Sequence, residues 1–323
     1  MKILVTGGAG YIGSVTSELL LDAGHEVIVF DNLERGHREA VDRRASLIEG
    51  DLRDAAAIRS AVGDTRPEAV MHFAAYALVA ESMSRPELYF RNNLAGAMNL
   101  ADAMLAHDVP RIVFSSTCAT YGQPDAVPIT EDTPQRPTNP YGESKLAFER
   151  VLNWYGELHD LQPVYLRYFN ACGATEKFGE DHDPETHLIP IVLQVALGQR
   201  EKVTVYGEDY DTPDGSCLRD YIHIVDLAQA HILALTSEHT GAFNLGNGNG
   251  YSVKEVIDAT RRVTGRAIAA ESGPRRPGDP ARLIASAEKA RKLLGWQPAY
   301  TDLGDIIASA WQWHQAHPDG YAS

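Results

Sequence analysis

Short apolar, β-branched runs alternate with amphipathic stretches through the first half of the chain. Lys2–Thr6, Glu26–Phe30, Leu47–Glu49, Ala69–Phe73, Arg111–Ser115 and Val164–Tyr168 read as strands. Tyr11–Ala23, Ala55–Val62 and Asn93–His107 read as helices between them. Such alternation predicts an α/β fold, a doubly wound parallel sheet with helices on both faces and ligands at the edge where the strands end. After about Asn170 the punctuation by Gly, Pro, Asp and Glu becomes denser, at 172–186, 207–216 and 272–282. Strand-like Val203–Tyr206 and Ala242–Leu245 and helical Leu188–Leu197, Val253–Val263 and Ala287–Leu294 follow at irregular spacing. The expected division is therefore a domain over 1–170 and a smaller α/β C-terminal lobe over 171–323, with the chain returning to the first domain around 217–245.

The first strand runs into Gly7-Gly8-Ala9-Gly10-Tyr11-Ile12-Gly13, which opens the first helix. Gly7 suits a tight turn, Gly10 lets backbone approach a pyrophosphate, and Gly13 permits close helix packing, so the doubly wound sheet is read as Rossmann-type. Asp31 ends the second strand 18 residues after Gly13 (31 − 13), followed by Asn32. An acid there accepts the ribose hydroxyls and repels a 2′-phosphate, which favours NAD over NADP. Asp51 and Leu52 follow the third strand, with Asp51 placed to reach the adenine amino group. Phe73, Ala74 and Ala75 close the fourth, where small side chains admit the cofactor. Asn93, Ser115 and Tyr168 complete the expected cofactor set.

Tyr141 and Lys145 carry the chemistry. Spacing i, i+4 puts both on one helix face, and among 14 tyrosines Tyr141 alone has a lysine four residues on. Pro140 suits a helix start. A free phenol titrates near 10, and a neighbouring ammonium and a nicotinamide cation are expected to lower that value and make Tyr141 a base. Thr117, at the end of the fifth strand and 24 residues before Tyr141 (141 − 117), is the expected hydroxyl helper.

Charge narrows the partners. Asp and Glu outnumber Lys and Arg by 44 to 29, a net charge of −15, which repels nucleic acid and anionic membrane surfaces. An anionic ligand must then be held by a few placed arginines. Lys2–Thr6 superficially resembles the start of a signal peptide, but the apolar run stops at Gly7-Gly8, and no stretch approaches the roughly 18 apolar residues that span a bilayer. Three cysteines without metal spacing suit a reducing compartment, so the expected location is cytoplasmic.

Gly7–Gly13, Asp31-Asn32, Ser115–Gly122, Tyr141–Lys145 and Arg167–Asn170 together resemble the extended short-chain dehydrogenase/reductase family. Tyr206-Gly207, Asp214-Gly215, Arg219–His223 and Arg276–Asp279 are similar to its UDP-glucose 4-epimerase branch, and the likeness runs nearly end to end. The resemblance implies an isomerase of galactose metabolism. Tyr141 removes the O4 proton, NAD⁺ takes the C4 hydrogen, and the 4-keto sugar rotates about its UDP before both return. It implies further that Asn170, His187 and Leu188 contact the nucleotide sugar and that Tyr206 stacks on uracil. Arg219 and Arg276 then bind the diphosphate and Asp279 the uridine ribose, with Tyr221 beside them and Leu283 lining the sugar pocket. Four positions depart from the best-known pattern: Ala77 for a Lys, Thr117 for a Ser, His187 for an Asn, and Leu283 for a Tyr or a smaller residue.

Three rival readings share parts of this pattern. A 4,6-dehydratase needs carboxylates after Thr117, where Cys118-Ala119 stand. A 4-epimerase of another UDP-sugar, such as an N-acetylhexosamine or a uronic acid, fits the same motifs. A non-catalytic NAD-binding protein conflicts with an intact Tyr141/Lys145 pair. Among 12 histidines, Asp181-His182-Asp183 with His187 is the densest group. It lacks H-x-x-x-H or C-x-x-C spacing, so no metal is expected. A homodimer is implied by the resemblance, through helices near Asn93–His107 and Glu143–His159. The stripe Leu146, Phe148, Val151, Leu152 and Tyr155 faces either that partner or the chain's own core.

Overall fold

The computed structural model describes residues 1–276 and 279–321. Its first half contains β1 (Lys2–Thr6), α1 (Tyr11–Asp22), β2 (Glu26–Asp31), β3 (Ser46–Glu49), α2 (Ala55–Thr65), β4 (Ala69–His72), α3 (Val79–Ser84) and α4 (Pro86–Tyr89). It continues through α5 (Ala97–Ala106), β5 (Arg111–Ser115), α6 (Pro140–His159) and β6 (Gln162–Tyr168). The helix expected from Asn93 begins as a π-helical turn, Phe90–Gly96, that runs into α5. The second half contains β7 (Asn170–Cys172), α7 (Leu188–Ala196), β8 (Val203–Tyr206), β9 (Leu218–Arg219), β10 (Tyr221–His223), α8 (Ile224–Thr236) and β11 (Gly241–Leu245). Last come β12 (Tyr251–Ser252), α9 (Val253–Thr264), β13 (Ala270–Gly273), β14 (Arg282–Leu283) and α10 (Leu303–Ala316).

Seven strands form one parallel sheet in the order β11-β6-β5-β4-β1-β2-β3. Alternation along each strand feeds two cores, because successive side chains leave a strand on opposite faces. Ile3, Val5, Val27 and Val29 meet α1 and α8 on one face. Leu4, Ile28 and Phe30 meet α2, α5 and α6 on the other, through Ile58, Val62, Leu100, Met104, Phe148 and Leu152. The inner strands are buried on both sides and are accordingly almost wholly apolar, whereas the edge strand β3 is part-exposed. The order reverses at β1 and β4, which opens the crevice between their C-terminal ends where such sheets hold ligands.

The remainder packs around α7, α9 and α10. Helix α9 is defined by a capping box, with Ser252 Oγ accepting from Glu255 N at 3.0 Å and Glu255 accepting from Ser252 N at 2.7 Å. Asp220 joins this region to the sheet edge. Its buried carboxylate accepts from the backbone N of Asn247, Gly248 and Ala285 at 2.9, 3.0 and 2.9 Å. Those bonds fix the strand that carries Arg219 against the one that carries Leu283. Among the described residues no helix is long and apolar enough to cross a membrane.

Candidate active site

The glycine turn is built as the crevice requires. Gly7 has φ +75°, and a Cβ there would lie 2.4 Å from Ala74 N. A Cβ on Gly13 would lie 2.2 Å from Gly7 O. Both positions are dictated by the protein's own backbone. Gly10 differs, since its Cβ would meet only Gly7 O, at an ordinary contact of 3.4 Å. Tyr11 is pinned by its hydroxyl, which donates to Gly173 O at 2.6 Å, and Ile12 packs against the core. Asp31 is buried, accepting from Ala9 N at 3.0 Å and Leu33 N at 2.9 Å. Burial pushes its carboxyl up, and those two amides oppose the shift. Each oxygen keeps a lone pair for a ribose hydroxyl.

Asp51 is held by Arg53 Nε at 2.9 Å and Asn32 Nδ2 at 2.9 Å. The Arg53 hydrogen bond brings its carboxyl down to about 2. Leu52 is buried beneath it. Phe73, Ala74 and Ala75 stay half-buried along the crevice. Asn93 does something other than expected. Its amide accepts from Tyr76 N and donates to Tyr76 O, both at 2.9 Å, and donates to Ser144 Oγ at 3.2 Å. Its polar atoms are consumed inside the protein, so it locks the 76 loop to α6 and positions the site without facing a ligand.

Helix α6 presents the catalytic candidates. Asn139 caps it, accepting from Gly142 N at 2.8 Å, with Pro140 in the first turn. Tyr141, Lys145 and Thr117 are all buried. Lys145 Nζ donates to Ser115 O at 3.0 Å and lies 6.0 Å from the Tyr141 ring centroid. Ser115 Oγ and Tyr168 OH share a hydrogen bond of 2.8 Å beside them. Burial pushes the Tyr141 phenol well above its ordinary value, the neighbouring Tyr168 adds to this, and Thr117 opposes it. Burial also pushes Lys145 down to about 7, against the pull of Glu149. In the protein alone desolvation outweighs the neighbouring ammonium, and the expected lowering of the phenol belongs to the ammonium and a nicotinamide cation acting together.

The residues that hold these groups were not among those expected. Glu149, one turn beyond Lys145, forms a buried bidentate pair with Arg167, Nη2 to Oε2 2.6 Å and Nε to Oε1 3.0 Å. It also accepts from Ser116 Oγ at 2.5 Å. Arg167 in turn donates to Tyr121 OH at 2.9 Å. This network fixes the strand end that carries Thr117. The i, i+4 step from Lys145 to Glu149 was the available signal.

The expected substrate residues divide. Asn170 Nδ2 donates to Asp220 O at 2.7 Å. Arg219 is largely buried; it donates to Leu218 O at 2.7 Å and pairs with Asp279. Its charge reaches Cys118, next to Thr117. Leu283 and Cys118 pack on the same cluster of Tyr121, Ile129, Phe169 and Ala285. The exposed Tyr206 ring is covered by the Arg276 guanidinium at 4.1 Å from its centroid. Two positions turn elsewhere. Tyr221 is buried in an apolar cluster with Cys172, Ile189 and Leu193, because β10 alternation sends it inward. His187 directs Nδ1 to Glu180 and Glu185, at 2.8 and 3.0 Å. Leu188, beside it, packs into the cores around α7.

A parallel sheet, a glycine turn with a buried acid, and a tyrosine-lysine helix at one crevice define a nucleotide-dependent oxidoreductive enzyme, and the chain belongs to the NAD dependent epimerase/dehydratase family, matched over residues 3–246. It is 55% identical to the UDP-glucose 4-epimerase of Halalkalibacterium halodurans, across 100% of this chain and 98% of that protein. A crystal structure of a UDP-glucose 4-epimerase superimposes with a TM-score of 0.97 at 52% identity, covering 100% of both chains. The enzyme from Bifidobacterium longum, in complex with NAD⁺ and UDP, superimposes with a TM-score of 0.95 at 40% identity, covering 99% of this chain and 100% of that one.

Proposed function

We propose that the chain interconverts UDP-glucose and UDP-galactose by inverting C4 of the hexose through a transient 4-keto sugar, with NAD as a tightly held cofactor. The observation that carries this reading is the convergence of Tyr141, Lys145 and Thr117, all buried, at the C-terminal end of β5, the sheet edge from which the Gly7–Gly13 turn also leaves. The open space at Gly10 and the free lone pairs of Asp31 suit a dinucleotide with an unmodified ribose. When bound, NAD⁺ supplies the acceptor, and then the donor, of the C4 hydrogen. Tyr141 takes the O4 proton and later returns it, Thr117 holds O4, and Lys145 supplies positive charge beside the phenol. Glu149 and Arg167 keep the Thr117 strand end in place. Residues 1–170, with 217–245 returning to them, hold the cofactor, and the rest of 171–323 holds the UDP-sugar.

A closed redox cycle gives no reason to release NAD. Protein purified without added nucleotide therefore yields stoichiometric NAD(H) on denaturation. Recovery of NADP, or of no nicotinamide, contradicts the role given to Asp31.

Arg219 is the diphosphate ligand in this reading. Arg219→Ala removes a charge-assisted contact worth about 1.5–3 kcal/mol. It also leaves Asp279 unneutralised where the diphosphate must sit. KM for the UDP-sugar should rise roughly 10- to 100-fold and UDP inhibition weaken in step. Unchanged UDP inhibition assigns the diphosphate to other residues.

One observation favours a broader sugar range. Leu283, half-buried beside Cys118, is shorter than a tyrosine and should leave partial room for a C2 acetamido group as the keto sugar turns. Some N-acetylhexosamine activity should accompany the hexose activity. Leu283→Tyr should then reduce UDP-GlcNAc turnover far more than UDP-glucose turnover. Equal loss on both sugars removes Leu283 as the gate.

The same reading includes a homodimer, a cytoplasmic location and a place in galactose metabolism. Leu146, Phe148 and Leu152 of α6 are buried in the chain's own core, whereas Trp154 and Leu158 on that helix are 61% and 67% exposed. They form an apolar i, i+4 pair suited to a partner helix. The free thiols, with Cys172 and Cys217 buried, are compatible with a reducing compartment.

A further inference from the structure

Between β7 and α7 the chain folds back on itself so that four metal-ligating side chains meet. Glu180, His182, Glu185 and His187 each bring one ligand atom to within 4.8 Å of all the others. Glu180 is buried and the other three are half-buried. The spacing E-x-H-x-x-E-x-H has no helical period, and Pro184 lies inside it. The convergence comes from the turn. Glu185 accepts from Thr186 N and His187 N, both at 2.6 Å, as His187 begins α7.

The separations are close to those of a coordination shell, and those from His187 are also hydrogen-bond lengths in the absence of an ion. Zinc bonds to N and O of about 2.0–2.1 Å place tetrahedral ligand atoms about 3.3 Å apart. The His182 Nδ1 separations are 3.2 Å from Glu180 Oε1 and 3.6 Å from Glu185 Oε2. The His187 Nδ1 separations are 2.8 Å from Glu180 Oε1 and 3.0 Å from Glu185 Oε1. His182 Nδ1 is shielded from solvent and makes no well-aligned hydrogen bond. Two carboxylates carry the charge that one divalent cation balances. A cavity of about 100 Å³ lined by Glu180, His182, Glu185 and His314 provides an entry path.

We propose that Glu180, His182, Glu185 and His187 form a structural site for one divalent transition ion of the zinc class. Four protein ligands leave no open position, the mark of a structural and not a catalytic site, and two imidazoles with two carboxylates exclude the thiolate-selective ions. The segment is already docked on the nucleotide domain. The His182 ring meets Tyr11 edge-on at 6.2 Å, and Arg35 donates to Asp183 O at 3.1 Å. Tyr321 N donates to Asp181 Oδ2 at 2.8 Å. The ion would therefore tie the glycine turn, the start of α7 and the C-terminal helix together.

The test uses purified holoprotein, stripped with a chelator, desalted and titrated with Co²⁺ and then Zn²⁺. One ion per chain is expected, with the intense visible bands of four-coordinate cobalt, their loss on Zn²⁺ addition, and a rise in Tm of several degrees with Zn²⁺. His182→Gln and Glu180→Gln should abolish the bands and the Tm rise. Because Glu180 is buried, His182→Gln with a wild-type circular dichroism spectrum is the deciding variant. No stoichiometric binding, the weak bands of octahedral cobalt, or wild-type ion content in His182→Gln would overturn the site.

Discussion

Tyr141→Phe lowers kcat by about 10²–10⁴, the range for loss of a positioned general acid–base group, while KM and UDP affinity stay near wild type. The phenol touches the reacting oxygen in this account, and the ring without its hydroxyl still fills the space beside Tyr76 and Tyr89. Folding and substrate binding are therefore preserved. Burial holds Tyr141 well above its ordinary value in the protein alone, so the phenolate depends on the positive charge that Lys145 and a bound nicotinamide bring beside it. Turnover within a few-fold of wild type would remove Tyr141 from the reaction.

Lys145→Met separates activity from stability. Turnover at neutral pH should fall roughly 10²-fold, at the low end of the same range, because the positive charge beside Tyr141 is lost. Stability should move the other way. Burial pushes Lys145 down to about 7, whereas an unfolded lysine titrates near 10.4. Between those values the folded chain binds fewer protons than the unfolded chain, so wild-type stability rises with pH from about 7 to about 10 and is lowest at and below 7. Methionine has nothing to titrate. The variant should be more stable than wild type by a few kcal/mol at pH 6–7, less about 1 kcal/mol for the lost bond to Ser115 O, with the gap closing by pH 10. Denaturant unfolding of NAD-stripped protein at several pH values measures it. A variant less stable than wild type at every pH would mean that Lys145 is held charged at little cost.

Local pattern was sufficient for the elements and for the groups whose role depends on spacing along one element. The strand-turn-helix at Gly7–Gly13 and the Tyr141/Lys145 face were legible because backbone geometry and helical period act over a few residues. Roles that depend on which side chains meet across the fold were not. Asn93 spends its amide on Tyr76 and Ser144. Arg219 is neutralised by Asp279 from a segment 60 residues away. His187 turns into the Glu180/Glu185 cluster, and Tyr221 into the core around α7. Glu149 and Arg167 lie on different elements, and only the packing of α6 against β6 joins them. His182 and His187 stood out in the sequence as the densest histidine group, but without zinc spacing; Glu180 and Glu185 join them only because the chain path between is a turn.

In the proposed reaction C4 is inverted by removal and return of the same hydrogen. Proton NMR in D₂O with UDP-glucose or UDP-galactose, no nucleotide added, tests it directly. Each sugar should give the other to a common equilibrium, with hydrogen retained at C4 and no deuterium entering there. Deuterium at C4, or no interconversion by protein that carries its NAD, would contradict the account.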